Sequence, residues 1–328
     1  MKEVKSKVQH YIPQCYLRHF SLNKKNLFVY DKRLSKSFSS STAKVGYIDY
    51  FYELPEKFIK NLSEIPSGTS FFEKEFFAKN IEAKYCQLIG IINSKAKSWF
   101  TSQTKEEILN EKEKSFLAQL IAIQYLRMPD IREKYADARK KADALRFDII
   151  KSFIEFTDPK LKGEIKNIQL SYDEAYNPIL HSEMYSDEEM YLNIADLLIK
   201  KYWIYFVSES NDFYTSDNPI IIKPHLPGQL PYWEGFGMKG AEIILPLGSS
   251  VLLTCWDPNC IKEVKNPSDS FCPINEKEKR EYNCLQYMFS NEQTYSYHND
   301  FKLISLLKEI NYSKEFRIKK PTILVDGK

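Results

Sequence analysis

Strand-forming runs occur near both ends of this chain, and a long helical region separates them. Residues 27–30 and 45–52 are rich in β-branched and aromatic side chains, and similar runs return after residue 200. Short strands need neighbours to be stable. The sequence therefore predicts an α+β fold, with a mixed or antiparallel sheet built from N-terminal and C-terminal strands around a helical middle.

The middle of the chain has helical periodicity. Within residues 70–92, apolar side chains recur at three- and four-residue spacing. Thr104 and Glu107 predict a capping box that opens a helix at 106–109. Pro129 predicts a break between two further helices, because proline disfavours helix in the residue before it. The other helices are predicted at 112–126, 130–156, 188–201, 276–291 and 300–310.

The regions between these elements are predicted to be loops and connectors. The Ser-rich segment 35–44 is expected to be a loop, and 158–185 a connector with one short strand. Residues 224–240 contain three Pro and four Gly and predict a long surface loop. Since no repeat or linker interrupts the sequence, we expect one integrated domain over 1–328. Its parts are N-terminal strands (1–60), a helical region (70–160), a strand-rich region (200–260) with a hairpin at 243–254, and C-terminal helices (275–312).

Net charge, apolar runs and cysteine content indicate the cellular compartment and the partners to expect for this chain. The formal net charge is only +3, from 47 basic and 44 acidic side chains, so no strong overall field predicts a nucleic-acid binder. No run approaches the roughly 20 apolar residues that span a bilayer, and the charged first residues do not resemble a signal peptide. We therefore expect a cytoplasmic protein with no membrane partner and six reduced, mostly buried cysteines. Cys255 and Cys260 lack the CxxC spacing typical of zinc sites.

Four segments hold polar side chains that core packing does not readily explain. In the first, His10, Gln14 and Arg18 recur every fourth residue around Pro13, so that one helical turn would place Gln14 beside Arg18. Histidine can act as a general base and arginine can bind an anion. The alternative is an N-terminal segment that hydrogen-bonds only to its own backbone.

The second and third segments are helical. Glu75 and Glu82 are seven residues apart and share a face, as expected of carboxylates that bind a divalent cation or of ordinary solvated glutamates. Gln124 and Arg127 lie three apart on an apolar helix, and a buried Arg needs a partner or an anionic ligand. A structural ion pair between Arg127 and one of the glutamates is the competing interpretation.

The fourth segment, 215–219, follows a predicted strand and contains Asp217 and Asn218 before a proline. Asp and Asn favour turns through hydrogen bonds to nearby backbone, although strand ends also carry catalytic carboxylates. The sequence contains no P-loop, GxGxxG, HExxH, GxSxG or CxxC motif.

Several motifs resemble a bacterial family known as domain of unknown function 4238. They are QHYIPQCYLRHF, LFVYDK, IQYLRMPDIR, FYTSDNPIII, LPLGSS and YNCLQYMFSNEQTYS, in this order over most of the chain. The resemblance implies no activity, cofactor or partner. The residues that match the polar pattern of the family are His10, Gln14, Arg18, Glu75, Glu82, Gln124, Arg127, Asp217, Asn218 and Asn283.

Two functional hypotheses follow. The first is a metal-dependent, nuclease-like hydrolase of a bacterial defence or toxin system, acting on nucleic acid or a nucleotide. Glu75, Glu82 and Asp217 would hold Mg²⁺ or Mn²⁺ and His10 would be the base. The anionic substrate would contact side chains from all the segments, namely Gln14, Arg18, Gln124, Arg127, Asn218 and Asn283. The second hypothesis is a non-catalytic binding or sensor module in which these residues form a buried structural network.

Overall fold

The computed structural model describes residues 7–55, 77, 81–102, 106–225, 235–259 and 267–309, which form a single α+β domain, as predicted. The helices are α1 (Gln14–Leu17), α2 (Ala83–Ser102), α3 (Glu111–Leu126), α4 (Pro129–Thr157), α5 (Lys162–Lys166), α6 (Asn177–Ser186), α7 (Glu188–Ile199), α8 (Glu276–Phe289) and α9 (Lys302–Glu309). The strands are β1 (Val8–His10), β2 (Asn26–Asp31), β3 (Lys36–Ser41), β4 (Tyr47–Asp49), β5 (Tyr202–Val207), β6 (Thr215–Ser216), β7 (Ile221–Pro224), β8 (Ala241–Gly248), β9 (Val251–Trp256), β10 (Ser270–Pro273) and β11 (Gln293–Ser296).

One sheet joins the two ends of the chain. It has the order β3-β2-β11-β6, and all of its pairs are antiparallel. Strand β11 lies between β2 from the N-terminal region and β6 from the last third of the chain. This sheet confirms the prediction that N-terminal and C-terminal strands pair with each other.

The Ser-rich segment was expected to be a loop, and that prediction is wrong. Residues 36–41 form β3, which pairs with β2 over six residues, with Phe38 opposite Val29. Strand β3 is at the edge of its sheet. Ser37 and Ser39 are exposed and Ser40 and Ser41 are half-buried, while the backbone completes the ladder. Main-chain pairing therefore outweighs the weak strand preference of serine.

The second large sheet has the order β10-β5-β9-β8-β7 and contributes buried residues to two core clusters. Its β8–β9 pair is the predicted hairpin, and all eight residues of β8 are buried. Alternate residues of β5 enter different clusters: Trp203 and Tyr205 pack in the main core, whereas Ile204 and Phe206 pack with Tyr282 of α8. Both faces of the sheet are therefore covered, as near-continuous apolar strands require.

The main helices of the middle region agree with the prediction, whereas the segments that connect them differ from it. The short helix predicted at 106–109 is absent, and helix α3 begins at Glu111, one residue before its predicted start, because Asn110 and Glu113 form its capping box. Thr104 lies outside the described residues, as do 70–76 and 78–80 of the first predicted helix and 226–234 of the predicted loop. The connector 158–185 contains α5 and most of α6 and no strand, which corrects the expected strand. Helix α6 forms because it buries Ile179, Met184 and Tyr185 in the core.

The cysteines differ from the expectation of six reduced thiols. Cys15 of α1 and Cys86 of α2 form a disulfide with their Cα atoms 5.9 Å apart, because the two helices pack together at this point. Cys255, Cys272 and Cys284 are free thiols, and Cys260 lies outside the described residues. Among the described helices, none is long and apolar enough to cross a membrane.

Candidate functional site: two polar clusters

A sharp turn brings the N-terminal segment against the helices. Gly46 has φ +64°, a conformation that favours glycine, and its carbonyl accepts hydrogen bonds from the backbone N–H of Tyr11 and of Ile12, both at 3.1 Å. Pro13 then precedes α1, as the sequence predicts. This geometry leaves the Tyr11 carbonyl free to accept side-chain hydrogen bonds from α3.

Arg127, at the end of α3, is the centre of what we call the N-terminal cluster (His10, Gln14, Glu82, Gln124 and Arg127). Its side chain is only 1% exposed. Nε donates to the Tyr11 carbonyl at 2.9 Å, and Nη1 pairs with Glu82 Oε1 at 3.1 Å. The guanidinium also lies 4.9 Å from the ring centre of Phe77. The charge is thus held by a carboxylate, a carbonyl and an aromatic ring, which is the arrangement that a buried arginine requires.

Gln124 reinforces the same anchor. Its Nε2 donates to the Tyr11 carbonyl at 3.0 Å, so this single oxygen accepts from both Gln124 and Arg127. Glu82, just before α2, remains 26% exposed. Three segments of the chain are therefore joined at one point, through the ion pair that was the competing interpretation of Arg127.

His10 lies at the side of this cluster. Its Nδ1 is 3.5 Å from Gln14 Nε2, and its buried Nε2 has no hydrogen-bond partner among the described residues. Burial lowers the pKa of His10 below its ordinary value, while Glu82 opposes and Arg127 adds to the shift. The imidazole is therefore neutral at neutral pH.

Tyr85 belongs to the same region, although the sequence marks it only as an apolar helix position. Its hydroxyl is buried with no hydrogen-bond partner in the described part of the chain, and its ring is stacked on Tyr16 at 6.3 Å. Burial raises its pKa, with Arg127 opposing. Its position three residues after Glu82 on a helix is the only sequence signal that could have indicated it.

Asp217 lies in a separate group, which we call the Asp217 cluster (Asp217, Asn218 and Asn283). Its carboxylate accepts hydrogen bonds from three consecutive backbone N–H groups, those of Asn291 (2.8 Å), Glu292 (2.7 Å) and Gln293 (2.9 Å). Burial raises its pKa to about 6, while these three hydrogen bonds and Lys32 oppose the rise. Asp217 therefore fixes the turn that leads from α8 into β11.

The two asparagines attach the same segment to α8. Asn283 accepts from the Tyr214 backbone N–H and donates to the Asp212 carbonyl, both at 2.8 Å, and Asn218 donates to the Phe289 carbonyl at 3.1 Å. Gln286, which the sequence analysis did not single out, accepts from Ser216 at 2.9 Å. Its spacing three residues after Asn283 places it on the same helix face.

The remaining predicted residues do not join a cluster. Arg18 is exposed at the end of α1, and Glu75 lies outside the described residues. In the described ranges, no group of three or more His, Cys, Asp or Glu side chains is arranged to hold a metal ion. The Mg²⁺ or Mn²⁺ site of Glu75, Glu82 and Asp217 therefore stays a prediction.

A further buried carboxylate was missed because it lies within a strand. Glu242 of β8 is fully buried, accepts from the Tyr282 hydroxyl at 2.7 Å and contacts His225 Nε2 at 2.7 Å. His225 also packs against Trp256, with ring centres 4.4 Å apart. No sequence motif marks this group, and its contacts join β7, β8, β9 and α8.

Fold and clusters together define a class of α+β protein in which the two chain ends share a sheet and buried polar side chains bind the backbone of distant segments. The chain belongs to the family described as protein of unknown function (DUF4238), whose sequence model matches residues 8–300. The resemblance seen in the sequence motifs is thereby confirmed. No curated protein and no solved structure matches the chain.

Proposed function

We propose that this protein is a non-catalytic binding or sensor module whose buried polar residues hold the fold together. The observation that carries the proposal is the coordination of Asp217. Both of its carboxylate oxygens accept from backbone N–H groups, and the residue is only 3% exposed. A carboxylate used in this way stabilises a turn, whereas a metal ligand must direct an oxygen toward the ion.

Arg127 and Gln124 support the same proposal. Both donate to one backbone carbonyl, and Arg127 pairs with Glu82. A catalytic arginine must be available to stabilise charge that develops on a substrate. The observed contacts are instead those of a structural ion pair between α3 and the residue that precedes α2.

Stability measurements test this proposal. We expect Arg127→Met to lower the free energy of unfolding by about 3–5 kcal/mol, because the substitution leaves Glu82 and the Tyr11 carbonyl without their partner. Arg18→Met is the matched control, since Arg18 is exposed and its loss should cost less than about 0.5 kcal/mol. Urea denaturation of both variants gives the comparison. Equal stability of the two variants would refute a structural role for Arg127.

A second candidate function is supported by His10. Within the described residues its neutral imidazole has no hydrogen-bond partner of normal geometry at Nε2, although the backbone of Thr42 and Ala43 lies near it and opposes the lowering of its pKa by burial. It is also electrostatically coupled to the partly exposed Glu82, so it could accept a proton from water or a hydroxyl. In this candidate the protein is a metal-dependent, nuclease-like phosphoesterase of a defence or toxin system. Glu75, Glu82 and Asp217 would bind Mg²⁺ or Mn²⁺, and Arg18 would contact the phosphate.

Activity assays separate the two candidates. Purified protein is incubated with RNA and with single- and double-stranded DNA, with Mg²⁺, Mn²⁺ or EDTA. The binding module predicts no turnover beyond that of a Glu82→Gln preparation. Metal-dependent cleavage that is lost in Glu82→Gln and His10→Gln, but kept in the exposed control Glu189→Gln, would establish the hydrolase and overturn our proposal.

A further inference from the structure

A groove outside both clusters lies between β3 and α9. Its volume is about 680 Å³, which is within the range of sites for small molecules. One side is formed by the start of β3 and the other by α9 with the residues before it. The serine and lysine side chains that line both sides are Ser35, Lys36, Ser37, Lys302, Ser305 and Lys308.

The groove is positively charged. Lys36, Lys302 and Lys308 are all exposed, and none forms an ion pair with a described residue. Lys308 Nζ donates to the Tyr30 hydroxyl at 3.0 Å, a neutral partner that leaves the charge of the ammonium in place. Among the described residues of the lining, the only acidic side chain is that of Asp300, whose Oδ1 accepts from the Lys302 backbone N–H at 3.2 Å. Three lysines against one aspartate leave a net charge of +2.

The chemistry of the lining indicates phosphate rather than a flat ring as the group that is recognised. Lysine ammonium groups bind phosphate as point charges. The Ser37 hydroxyl can donate to its oxygens, whereas the hydroxyls of Ser35 and Ser305 donate to backbone carbonyls. The two aromatic side chains of the lining, Tyr30 and Phe301, are only 6% and 7% exposed, so neither offers a face on which a base could stack. Three separate cations match a ligand with several linked phosphates better than one with a single charge.

We propose that the groove between β3 and α9 binds a small ligand with two or more linked phosphates, such as the phosphate chain of a nucleoside triphosphate. This inference rests on the proposed function, because it assigns a ligand class to the binding module. The groove shares no residue with the N-terminal cluster or the Asp217 cluster, so a failure of either idea can be recognised separately.

The test uses the full chain and isothermal titration calorimetry with tripolyphosphate, ATP and adenosine at about 50 mM salt, where exposed charges are weakly screened. We expect tripolyphosphate and ATP to bind with similar Kd and adenosine not to bind. The triple variant Lys36→Gln, Lys302→Gln, Lys308→Gln should raise the Kd at least about tenfold, since charge-assisted hydrogen bonds are lost. The matched control carries the same charge change on exposed lysines of α2, α3 and α5, as Lys97→Gln, Lys112→Gln, Lys166→Gln.

Each possible result of the titrations either supports or overturns the proposed phosphate site. Equal loss of affinity in both triple variants would show that only net charge matters and would overturn the site. Adenosine that binds as well as ATP would overturn phosphate recognition. A single-stranded oligonucleotide that depends on the groove lysines, together with no binding of tripolyphosphate, would make the ligand a nucleic acid instead. Metal-dependent cleavage in the assay above would overturn the proposed function without affecting groove binding.

Discussion

Replacing Asp217 with Asn should change how the stability of the protein depends on pH. The substitution keeps the shape of the side chain and removes the titrating group. It also replaces one carboxylate oxygen, which accepts from the backbone, with an amide NH₂ group that cannot accept. It therefore costs a pH-independent amount. On top of this, the wild-type protein alone carries the contribution from titration of the buried carboxyl group.

The size of that contribution follows from the pKa of Asp217. Its ordinary value is 3.8 and the folded-state value is about 6, and each pKa unit is worth about 1.4 kcal/mol, so the difference amounts to about 3 kcal/mol. Because the folded-state pKa is the higher one, the folded protein binds the proton more tightly. The stabilisation is fully present below pH 3.8 and is lost as the pH rises through about 6.

The assay is urea denaturation of the wild type and Asp217→Asn between pH 3.5 and 7.5. We expect the stability advantage of the wild type over the variant to fall by about 3 kcal/mol across this range, with the slope concentrated between pH 4 and 6. Asp196→Asn, on an exposed position of α7, should track the wild type. A wild-type advantage that grows with pH would refute the reasoning, because it would mean that the three N–H donors outweigh desolvation.

Three further predictions concern stability. Reduction of the Cys15–Cys86 disulfide removes a cross-link between residues 71 positions apart and should lower the free energy of unfolding by about 2–4 kcal/mol, measured with and without dithiothreitol. The Cys15→Ser variant should show no response to the reductant. Gly46→Ala should cost about 1–3 kcal/mol by urea denaturation, because φ is +64° and a Cβ would lie 3.0 Å from Ile12 Cβ; an unchanged midpoint would contradict this. Asn283→Leu should cost about 2–4 kcal/mol, since the Tyr214 N–H and the Asp212 carbonyl lose their partner, whereas Asn193→Leu on exposed α7 should cost less than about 1 kcal/mol.

The elements with strong periodicity could be predicted from the sequence, and those that depend on distant partners could not. Helices α4 and α7 lie within a residue or two of their predicted bounds, because apolar spacing is a local property. Strand β3 was missed because its serines carry no apolar pattern and its stability comes from β2. The disulfide was missed for the same reason, since only the folded structure brings α1 next to α2.

In the candidate site, too, properties set by residue type could be predicted and contacts with distant partners could not. The competing interpretation of Arg127, an ion pair with one of the glutamates, agrees with its observed contact to Glu82. A buried arginine has few other solutions, so its residue type alone restricts its environment. The three donors to Asp217 are backbone N–H groups of residues 291–293. Residue types cannot indicate such donors, because every residue except proline has a backbone N–H. The contact between the Arg127 segment and the Glu82 segment could be expected, whereas the separate position of Asp217 and the atoms that each side chain contacts could not.

The pairing of β2 with β11 has a consequence during protein synthesis. Gln293 and Asp31 are partners although 262 residues separate them, so β2 leaves the ribosome long before the strand that will cover its edge. Until then, the β2–β3 hairpin exposes a row of unpaired backbone groups that can associate with other nascent chains. We therefore expect folding to be slow for a chain of this length, and a product truncated before residue 293 to aggregate rather than accumulate as a folded fragment.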